Sequence, residues 1–200
     1  MTSQISDRKA DGRVGMWLFI STEILLFGGL FLLYSMYRFK NPADFHKGAL
    51  ELSRFAGTLN TCILITSSLF IALGIPFMDR KMEKAAGIYI LLTISMAFGF
   101  LIVKAFEWGE KFEHGLYPGA ARLLTLPKGE MLYFGLYFMM TGLHALHVIV
   151  GIGVLTTMYI FLRRGSLMKI SPVMLENSGL YWHLVDIIWI FLFPLFYLIA

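Results

Sequence analysis

Two ionisable side chains near the end of this chain lie in a stretch that is otherwise apolar enough to cross a membrane. His183 and Asp186 stand three residues apart in the segment YWHLVDIIW, which also contains Trp182 and Trp189. An ionisable group in hydrocarbon costs roughly 2.5 to 3.5 kcal/mol on insertion scales, so each needs a partner or a functional role. On a helix, Trp182, Asp186 and Trp189 share a face, and Glu176 lies two turns before His183. This polar stripe predicts internal pairing of His183 with Asp186 or, equally, a buried subunit interface.

A second pair of candidates is His144 and His147, in the segment GLHALH. Residues three apart are neighbours on a helix, so the two imidazoles could form part of a metal site, with His183 as a third ligand. No Glu-x-x-His pair or cysteine completes such a set, and small Gly142 favours close approach of two helices. The residues therefore favour hydrogen bonding between helices, including a pair with His183 or Asp186, over metal binding.

Glu23 is the third candidate and lies in the segment STEILLF. A carboxylate facing lipid would be expensive, so we expect a neutral acid at this position. Two interpretations stay open. Glu23 is either a packing residue that hydrogen-bonds another helix, or a proton-relay or lipid-contact residue.

The composition defines the class of protein that must position these residues. Of 200 residues, 58% are hydrophobic and 15% charged, and the mean hydropathy is +0.70, which predicts a polytopic membrane protein. The net charge of +4 comes from short connecting segments, which disfavours nucleic acid as a partner. Cys62 is the only cysteine, which excludes an internal disulfide and covalent haem attachment through a Cys-x-x-Cys-His motif. We expect the apolar run from Met16 to remain as an anchor, since it is too long for a signal core.

Five apolar runs are each long enough to cross a hydrocarbon core of about 30 Å as a helix. Backbone groups in lipid must be bonded within a segment, so helices are favoured over open strands. The prediction is an all-α fold, a bundle of five transmembrane helices in one membrane domain covering residues 1–200. The predicted helices cover residues 16–37, 59–77, 87–106, 133–162 and 180–199.

The basic residues indicate the orientation in the membrane. They are concentrated in the N-terminus and in the second and fourth loops, whereas the opposite side spreads them over longer loops with more acids. By the positive-inside rule we expect a cytoplasmic N-terminus and an external C-terminus. The basic residues on the cytoplasmic side are Arg8, Lys9, Arg13, Arg80, Lys81, Lys84, Arg163, Arg164 and Lys169.

Several segments together resemble a known family. The segments GLHALHVIVG and YWHLVDIIWIFLF are similar to the last two helices of subunit III of the haem-copper oxidases. FISTE resembles the helix that bears the family's intramembrane glutamate, LNT the start of the next helix, and KAFEW the end of the one after. The resemblance covers all five predicted spans and is closest to the short bacterial members, which lack the first two of the family's seven helices.

The resemblance implies a non-catalytic subunit of a bacterial terminal oxidase that reduces oxygen with electrons from cytochrome c or quinol. Haem and copper are then expected in the partner, subunit I, which this chain would contact directly within a complex that also contains subunit II. The implied roles are stabilising subunit I, ordering phospholipids near its oxygen access path and supporting proton uptake, in the bacterial cytoplasmic membrane. No catalytic, cofactor-binding or metal residue is assigned to this chain. Arg163 and Arg164 lie near the family's lipid-binding arginine, which makes them candidates for a lipid headgroup.

Three other functions remain compatible with the residues. An accessory protein of nitric oxide reductase shares the same family pattern. A b-type cytochrome anchor would use His144 or His147 with His183 as haem ligands. A small proton-coupled transporter could use Glu23 and Asp186, although no span is interrupted by a mid-span Gly-Pro, as many transporters would require.

Overall fold

The computed structural model describes residues 2–79, 82–164 and 172–198, and within these ranges all regular structure is helical. Seven α-helices are followed directly by a short π-helical segment. They are α1 (Thr2–Lys40), α2 (Pro42–Leu50), α3 (Arg54–Asp79), α4 (Glu83–Glu113), α5 (Ala121–Leu124), α6 (Lys128–Arg163), α7 (Pro172–Phe193) and the π-helical segment (Pro194–Leu198).

The predicted fold class is confirmed, because five of these helices are long and apolar enough to cross a membrane. The spans are Gly12–Lys40, Arg54–Phe77, Glu83–Glu113, Lys128–Arg163 and Glu176–Leu198. The helices continue past the predicted bounds at most ends; α6, for example, begins at Lys128 and has 36 residues. Hydropathy detects only the apolar part of a helix, whereas the backbone hydrogen bonds continue into the polar boundary.

Four of the long helices form a closed ring, in which α3 packs on α4, α4 on α6, α6 on α7 and α7 back on α3. Helix α1 lies outside this ring, against α6 and α7. Only 11% of the most apolar window of α1 is buried inside the structure, compared with 50% for the last span. The ring is therefore the core of the bundle, and α1 is a peripheral helix.

The sequence of α1 accounts for its position. Ile20, Phe27 and Tyr34 recur every seven residues and are buried against the ring. A seven-residue repeat keeps one narrow stripe of a helix in contact with its neighbours. On the opposite face, Leu25 and Leu32 are 76% and 71% exposed. An apolar surface of this kind is suited to lipid or to another membrane protein.

The end of α7 is held by tyrosine side chains from two other helices. The π-helical segment begins at a proline, which has no N–H to donate and disturbs the regular hydrogen-bond ladder. The hydroxyl of Tyr34 donates to the carbonyl of Leu195, and that of Tyr133 donates to the carbonyl of Phe196 at 2.9 Å. These bonds satisfy backbone oxygens that the end of a helix would otherwise leave unpaired.

Candidate functional site

Glu23 on α1 meets His147 on α6 inside the bundle. Its Oε2 lies 2.9 Å from His147 Nε2, and the two side chains are 13% and 12% exposed. The other ring nitrogen, Nδ1, lies 2.8 Å from the carbonyl oxygen of Leu143, one turn earlier on α6. Phe27 packs against the same imidazole, with ring centroids 5.5 Å apart. Glu23, the acid that the sequence places within a membrane span, is thus paired with a histidine of another helix.

The hydrogen bonds of His147 restrict where its protons can be. The carbonyl oxygen of Leu143 can only accept, so Nδ1 carries a hydrogen. One further proton is then shared between Nε2 and the Glu23 carboxyl group. With that proton on either side, as a neutral acid and imidazole or as a carboxylate and imidazolium, the pair has no net charge. This removes most of the cost of placing a lone charge in the bilayer.

His183 and Asp186 make no direct pair, because His183 bonds a serine of α3. His183 Nδ1 lies 2.6 Å from Ser68 Oγ. Asp186 Oδ1 is buried and has no hydrogen-bond partner in the described part of the chain. The direct His183–Asp186 pair predicted above is therefore not formed, because one turn of α7 directs both side chains toward α3. The polar stripe of α7 is used to dock this helix on α3.

His144 has surroundings quite different from those of His147. It is fully buried, and the rings of Phe100 and Trp189 lie with centroids 5.4 and 5.2 Å from its own. Neither ring nitrogen has a hydrogen-bond partner among the described residues. The pairing of His144 with His183 or Asp186 is likewise not formed, because His144 faces the aromatic interior of the ring.

The two tryptophans of α7 face α3, as does Asp186. Trp182 Nε1 donates to Ser67 Oγ at 3.0 Å, and Trp189 Nε1 donates to Thr61 Oγ1 at 3.0 Å. Both tryptophans are fully buried. A buried tryptophan needs one acceptor for its N–H, and a helix hydroxyl supplies it without adding a charge. These contacts set the register of α7 on α3.

Glu176 lies at the edge of the bundle rather than in its interior. Its Oε2 accepts from Arg13 Nη2 at 2.9 Å, with side-chain exposures of 59% for Arg13 and 44% for Glu176. Next to it, Asn177 donates to the backbone carbonyl of Gly12 at 3.0 Å. An exposed ion pair of this kind contributes about 0 to 1 kcal/mol. Together the two contacts locate the beginning of the first span beside α7.

A fully buried charged cluster, which the sequence reasoning missed as a site, lies near the other end of the bundle. Lys104 Nζ donates to Glu107 Oε2 at 3.1 Å, to Tyr137 Oη at 2.9 Å and to Tyr197 Oη at 2.7 Å. Tyr137 and Tyr197 in turn donate to Glu107 Oε1, at 2.9 and 2.7 Å. The side chains of Lys104 and Glu107 are 2% and 1% exposed. We refer to these four residues as the Lys104 cluster.

The hydrogen bonds of the Lys104 cluster form a complete set. The Lys104 ammonium group has three donors, and they meet Glu107, Tyr137 and Tyr197. Each tyrosine hydroxyl accepts one bond from Lys104 and donates one to the Glu107 carboxylate. A charged lysine, a charged glutamate and two neutral tyrosines satisfy this set of hydrogen bonds. The cluster joins α4, α6 and the π-helical segment in one contact.

One signal in the sequence could have identified part of this cluster. Lys104 and Glu107 are three residues apart at the end of an apolar run, and oppositely charged residues at this spacing on a helix are neighbours. Tyr137 and Tyr197 lie 33 and 93 residues further along the chain than Lys104. Such distant pairs have no local pattern, so only the packing of the helices reveals them.

Two of the three histidines that a b-type cytochrome anchor would use are engaged in hydrogen bonds within the bundle. Both ring nitrogens of His147 are hydrogen-bonded, so ligation by His147 would break one of these bonds. His183 uses Nδ1 for Ser68. In the described ranges, no group of three or more His, Cys, Asp or Glu residues is placed to hold a metal ion. The bonds of His147 and His183 join helices to one another, whereas His144 is enclosed by aromatic rings.

An apolar groove runs between α1 and α7, with a volume of about 410 Å³. Trp17, Ile24 and Phe31 line it from α1, and Ile187 and Phe191 from α7. Among the described residues, His183 is the one ionisable side chain in its lining. Arg163 and Arg164 lie elsewhere, exposed at the end of α6.

Comparison with known proteins gives consistent matches. The family whose sequence profile matches residues 9–200 is described as cytochrome c oxidase subunit III. The chain is 34% identical over 195 residues to a protein of Aeropyrum pernix named haem-copper oxidase subunit I+III; the match covers 94% of this chain and 22% of that relative. It is 26% identical to a probable quinol oxidase subunit 3 of Staphylococcus haemolyticus, with 100% of this chain and 96% of the relative covered. It is 30% identical to cytochrome c oxidase subunit 3 of Thermostichus vulcanus, over 94% of this chain and 87% of the relative.

Proposed function

Because this chain belongs to the cytochrome c oxidase subunit III family, we propose that it is the non-catalytic subunit III of a bacterial haem-copper terminal oxidase. Its role is to stabilise the catalytic subunit, and to support proton uptake and oxygen access there during respiration. Haem and copper belong to that partner, and this chain supplies a membrane scaffold. The electron donor is cytochrome c or quinol, and both are named among the relatives.

The observation that carries the scaffold role is how the polar side chains of the spans are used. Glu23 bonds His147 between α1 and α6, His183 bonds Ser68 between α7 and α3, and the Lys104 cluster joins α4, α6 and the end of α7. Each of these contacts fastens one helix to another. A chain whose interior polar groups hold its own helices together is suited to packing against a catalytic subunit rather than to carrying electrons.

Direct contact with subunit I is the second part of the proposal. One relative is named as a fusion of subunits I and III, so in that protein the two parts belong to one polypeptide. A fusion keeps two units close together, which favours a lasting interface between them. Subunit II and further subunits would complete the complex.

Lipid is the third part of the proposal. The groove between α1 and α7 is almost entirely apolar, which suits a phospholipid acyl chain. The Glu23–His147 pair lies between α1 and α6, and both its members can exchange a proton, so it is our candidate for a proton-related role. His144, Glu176, Trp182, His183, Asp186 and Trp189 are proposed as structural residues that hold this region together.

The proposed location is the bacterial cytoplasmic membrane. The five spans make the chain a multi-pass membrane protein. We place the N-terminus in the cytoplasm and the C-terminus outside, since basic residues are concentrated in the N-terminus and the loops on that side.

The function is tested on the oxidase complex purified with and without this chain. We expect the complex without it to reduce oxygen at a similar initial rate, to lose activity sooner during continuous turnover and to melt at a lower temperature. All haem bands should remain with the catalytic subunit. Identical time courses and melting profiles would refute the supporting role, and a dithionite-reducible Soret band in the isolated chain would refute the scaffold assignment.

A further inference from the structure

Two fully buried side chains of the ring have no hydrogen-bond partner for any of their polar atoms. They are Asn60 on α3 and His144 on α6, both 0% exposed. In the described part of the chain, Nδ2 and Oδ1 of Asn60 and both ring nitrogens of His144 are without a partner. Burying an amide or an imidazole without hydrogen bonds is costly, and such groups in folded proteins are almost always paired. The two side chains therefore indicate a ligand that can both donate and accept.

The packing of α3 on α4 places Asn60 beside Phe100. These two helices are consecutive and pack along their length, so they run antiparallel. Thr93 Oγ1 on α4 donates to the carbonyl of Ser67 on α3 at 3.4 Å. Asn60 comes seven residues before Ser67, and Phe100 comes seven residues after Thr93. Both steps cover about 10 Å in the same direction along the bundle, at 1.5 Å per residue, so Asn60 and Phe100 lie at the same level.

Phe100 connects this level to the other two helices of the ring. The centroid of its ring lies 5.4 Å from that of His144 on α6 and 4.9 Å from that of Trp189 on α7. Trp189 also packs on His144, with ring centroids 5.2 Å apart. The indole N–H of Trp189 donates to Thr61, the neighbour of Asn60 in the sequence. Each helix of the ring thus contributes one residue to a single level, which we refer to as the Asn60 layer: Asn60, Phe100, His144 and Trp189.

The surroundings of the Asn60 layer favour water over an ion as the ligand. Lys104 Nζ lies 5.3 Å from the centroid of the Trp189 ring, and this ammonium group repels a second cation. An anion would meet the negative faces of the aromatic rings, and the donors of Lys104 are already used within its own cluster. Water is neutral and small, and it donates two hydrogen bonds and accepts two. These capacities match an amide and a neutral imidazole, each of which has both a donor and an acceptor.

We propose that the Asn60 layer binds ordered water between Asn60 and His144. The water bonds the side-chain amide of Asn60 on one side and the imidazole of His144 on the other. Helices α3 and α6 are opposite members of the ring, so this water bridges its interior. The site requires only the four-helix ring, and it is independent of the proposed oxidase role.

Radiolytic labelling of the purified complex tests the site. The complex is irradiated with X-rays in water that carries a heavy oxygen isotope, and oxidised side chains are located by tandem mass spectrometry. Hydroxyl radicals formed from bound water oxidise the side chains beside it, whereas radicals formed in bulk solvent do not reach buried rings. Trp189 and Trp182 are a matched pair, because both are fully buried on α7 and both donate to a hydroxyl of α3. We expect severalfold more oxidation at Trp189, in the Asn60 layer, than at Trp182, two turns away.

A double variant removes the polar groups that would hold the water. Asn60→Leu with His144→Phe should lower the oxidation of Trp189 to the level of Trp182. Cys62→Ser is the control, because Cys62 is exposed on α3 two residues from Asn60, and it should oxidise as the wild type does.

Three outcomes would overturn the proposal. The first is equal oxidation of the two tryptophans in the wild type, which a direct hydrogen bond between Asn60 and His144 would give. The second is unchanged oxidation of Trp189 in a folded double variant. If that variant does not fold, a cryo-electron microscopy map of the wild-type complex at a resolution that shows water decides instead, and a map without density between Asn60 and His144 is the third.

Discussion

At the scale of single residues, the ionisable groups of the spans are accommodated by sharing protons or hydrogen bonds rather than by exposed charge. Glu23 and His147 share one proton without net charge, and His183 bonds a serine hydroxyl of α3. The direct His183–Asp186 ion pair considered from the sequence would have made Asp186→Ala cost about 3 to 5 kcal/mol. Asp186 makes no ion pair with a described residue, so the expected loss is at most that of one neutral hydrogen bond, about 1 kcal/mol.

A variant pair at Glu23 tests the shared proton. Glu23→Gln keeps a group that can donate to or accept from His147 Nε2, so we expect a melting temperature of the complex close to that of the wild type. Glu23→Leu leaves the partly buried imidazole without this partner, and should destabilise the protein by about 1 to 3 kcal/mol. Thermal unfolding of the purified complex measures both.

The control for this pair is Thr22→Ala, since Thr22 is exposed and bonds only within its own helix, to the carbonyl of Phe19. If Glu23→Leu unfolded at the same temperature as Thr22→Ala, the Glu23–His147 pair would make no contribution to stability.

At the scale of helices, the hydrogen bonds between α7 and α3 are joined by two further kinds of contact: aromatic rings packed against glycines, and the Lys104 cluster. Gly151 on α6 lies against Trp182 on α7, where an added Cβ would be 2.8 Å from the indole ring. Because real Cβ atoms do not approach this closely, only glycine permits this distance between the two helices. The Lys104 cluster acts differently, since it joins α4, α6 and the π-helical segment through one buried ion pair.

Gly151→Ala should separate α6 from α7. The new methyl group meets a large, rigid ring that is itself bonded to Ser67, so we expect a loss of about 1 to 3 kcal/mol in the free energy of unfolding. Gly153→Ala, two residues further on, has no atom within 4 Å of the added Cβ and should be neutral or slightly stabilising. Equal melting temperatures for the two alanine variants would contradict the close approach.

The Lys104 cluster predicts a non-additive double mutant. Lys104→Met or Glu107→Leu alone leaves one buried charge without its counter-ion, and each should cost about 3 to 5 kcal/mol. The double variant Lys104→Met with Glu107→Leu removes both charges, so it should be more stable than the sum of the single losses predicts. Thermal unfolding of the four proteins closes the cycle, with Lys128→Met at an exposed position as the control. Strictly additive losses would show that the two charges are not coupled.

At the scale of the whole molecule, four helices form a ring and α1 lies on its outer surface. The basic residues are concentrated at one end of the bundle, and this predicts the orientation of the chain in the membrane. His46, on α2, and Arg164, after α6, are both exposed and lie at opposite ends of the bundle.

Cysteine labelling tests this orientation. In a Cys62→Ser background, which removes the only natural cysteine, we expect His46→Cys to react with a membrane-impermeant maleimide on intact cells. Arg164→Cys should react only after the membrane is permeabilised. The reverse result would invert the proposed topology.

The sequence by itself determined the class, the number of spans and the family. Apolar runs of twenty residues can be satisfied in lipid only as helices, so five runs imply five spans without knowledge of their packing. It also identified Glu23, His147 and Asp186 as residues that need partners. An ionisable group is costly in hydrocarbon whichever helices surround it, so its position within an apolar run is enough to show the need.

Only the tertiary structure decided what those partners are. Glu23 meets a histidine 124 residues away, and Lys104 meets a tyrosine 93 residues away. A helix repeat indicates which residues share a face, but it carries no information about which other helix that face contacts. The partner depends on the order of helices around the ring and on their relative height, which are set by close contacts such as Gly151 against Trp182. Those contacts exist only once the helices are packed.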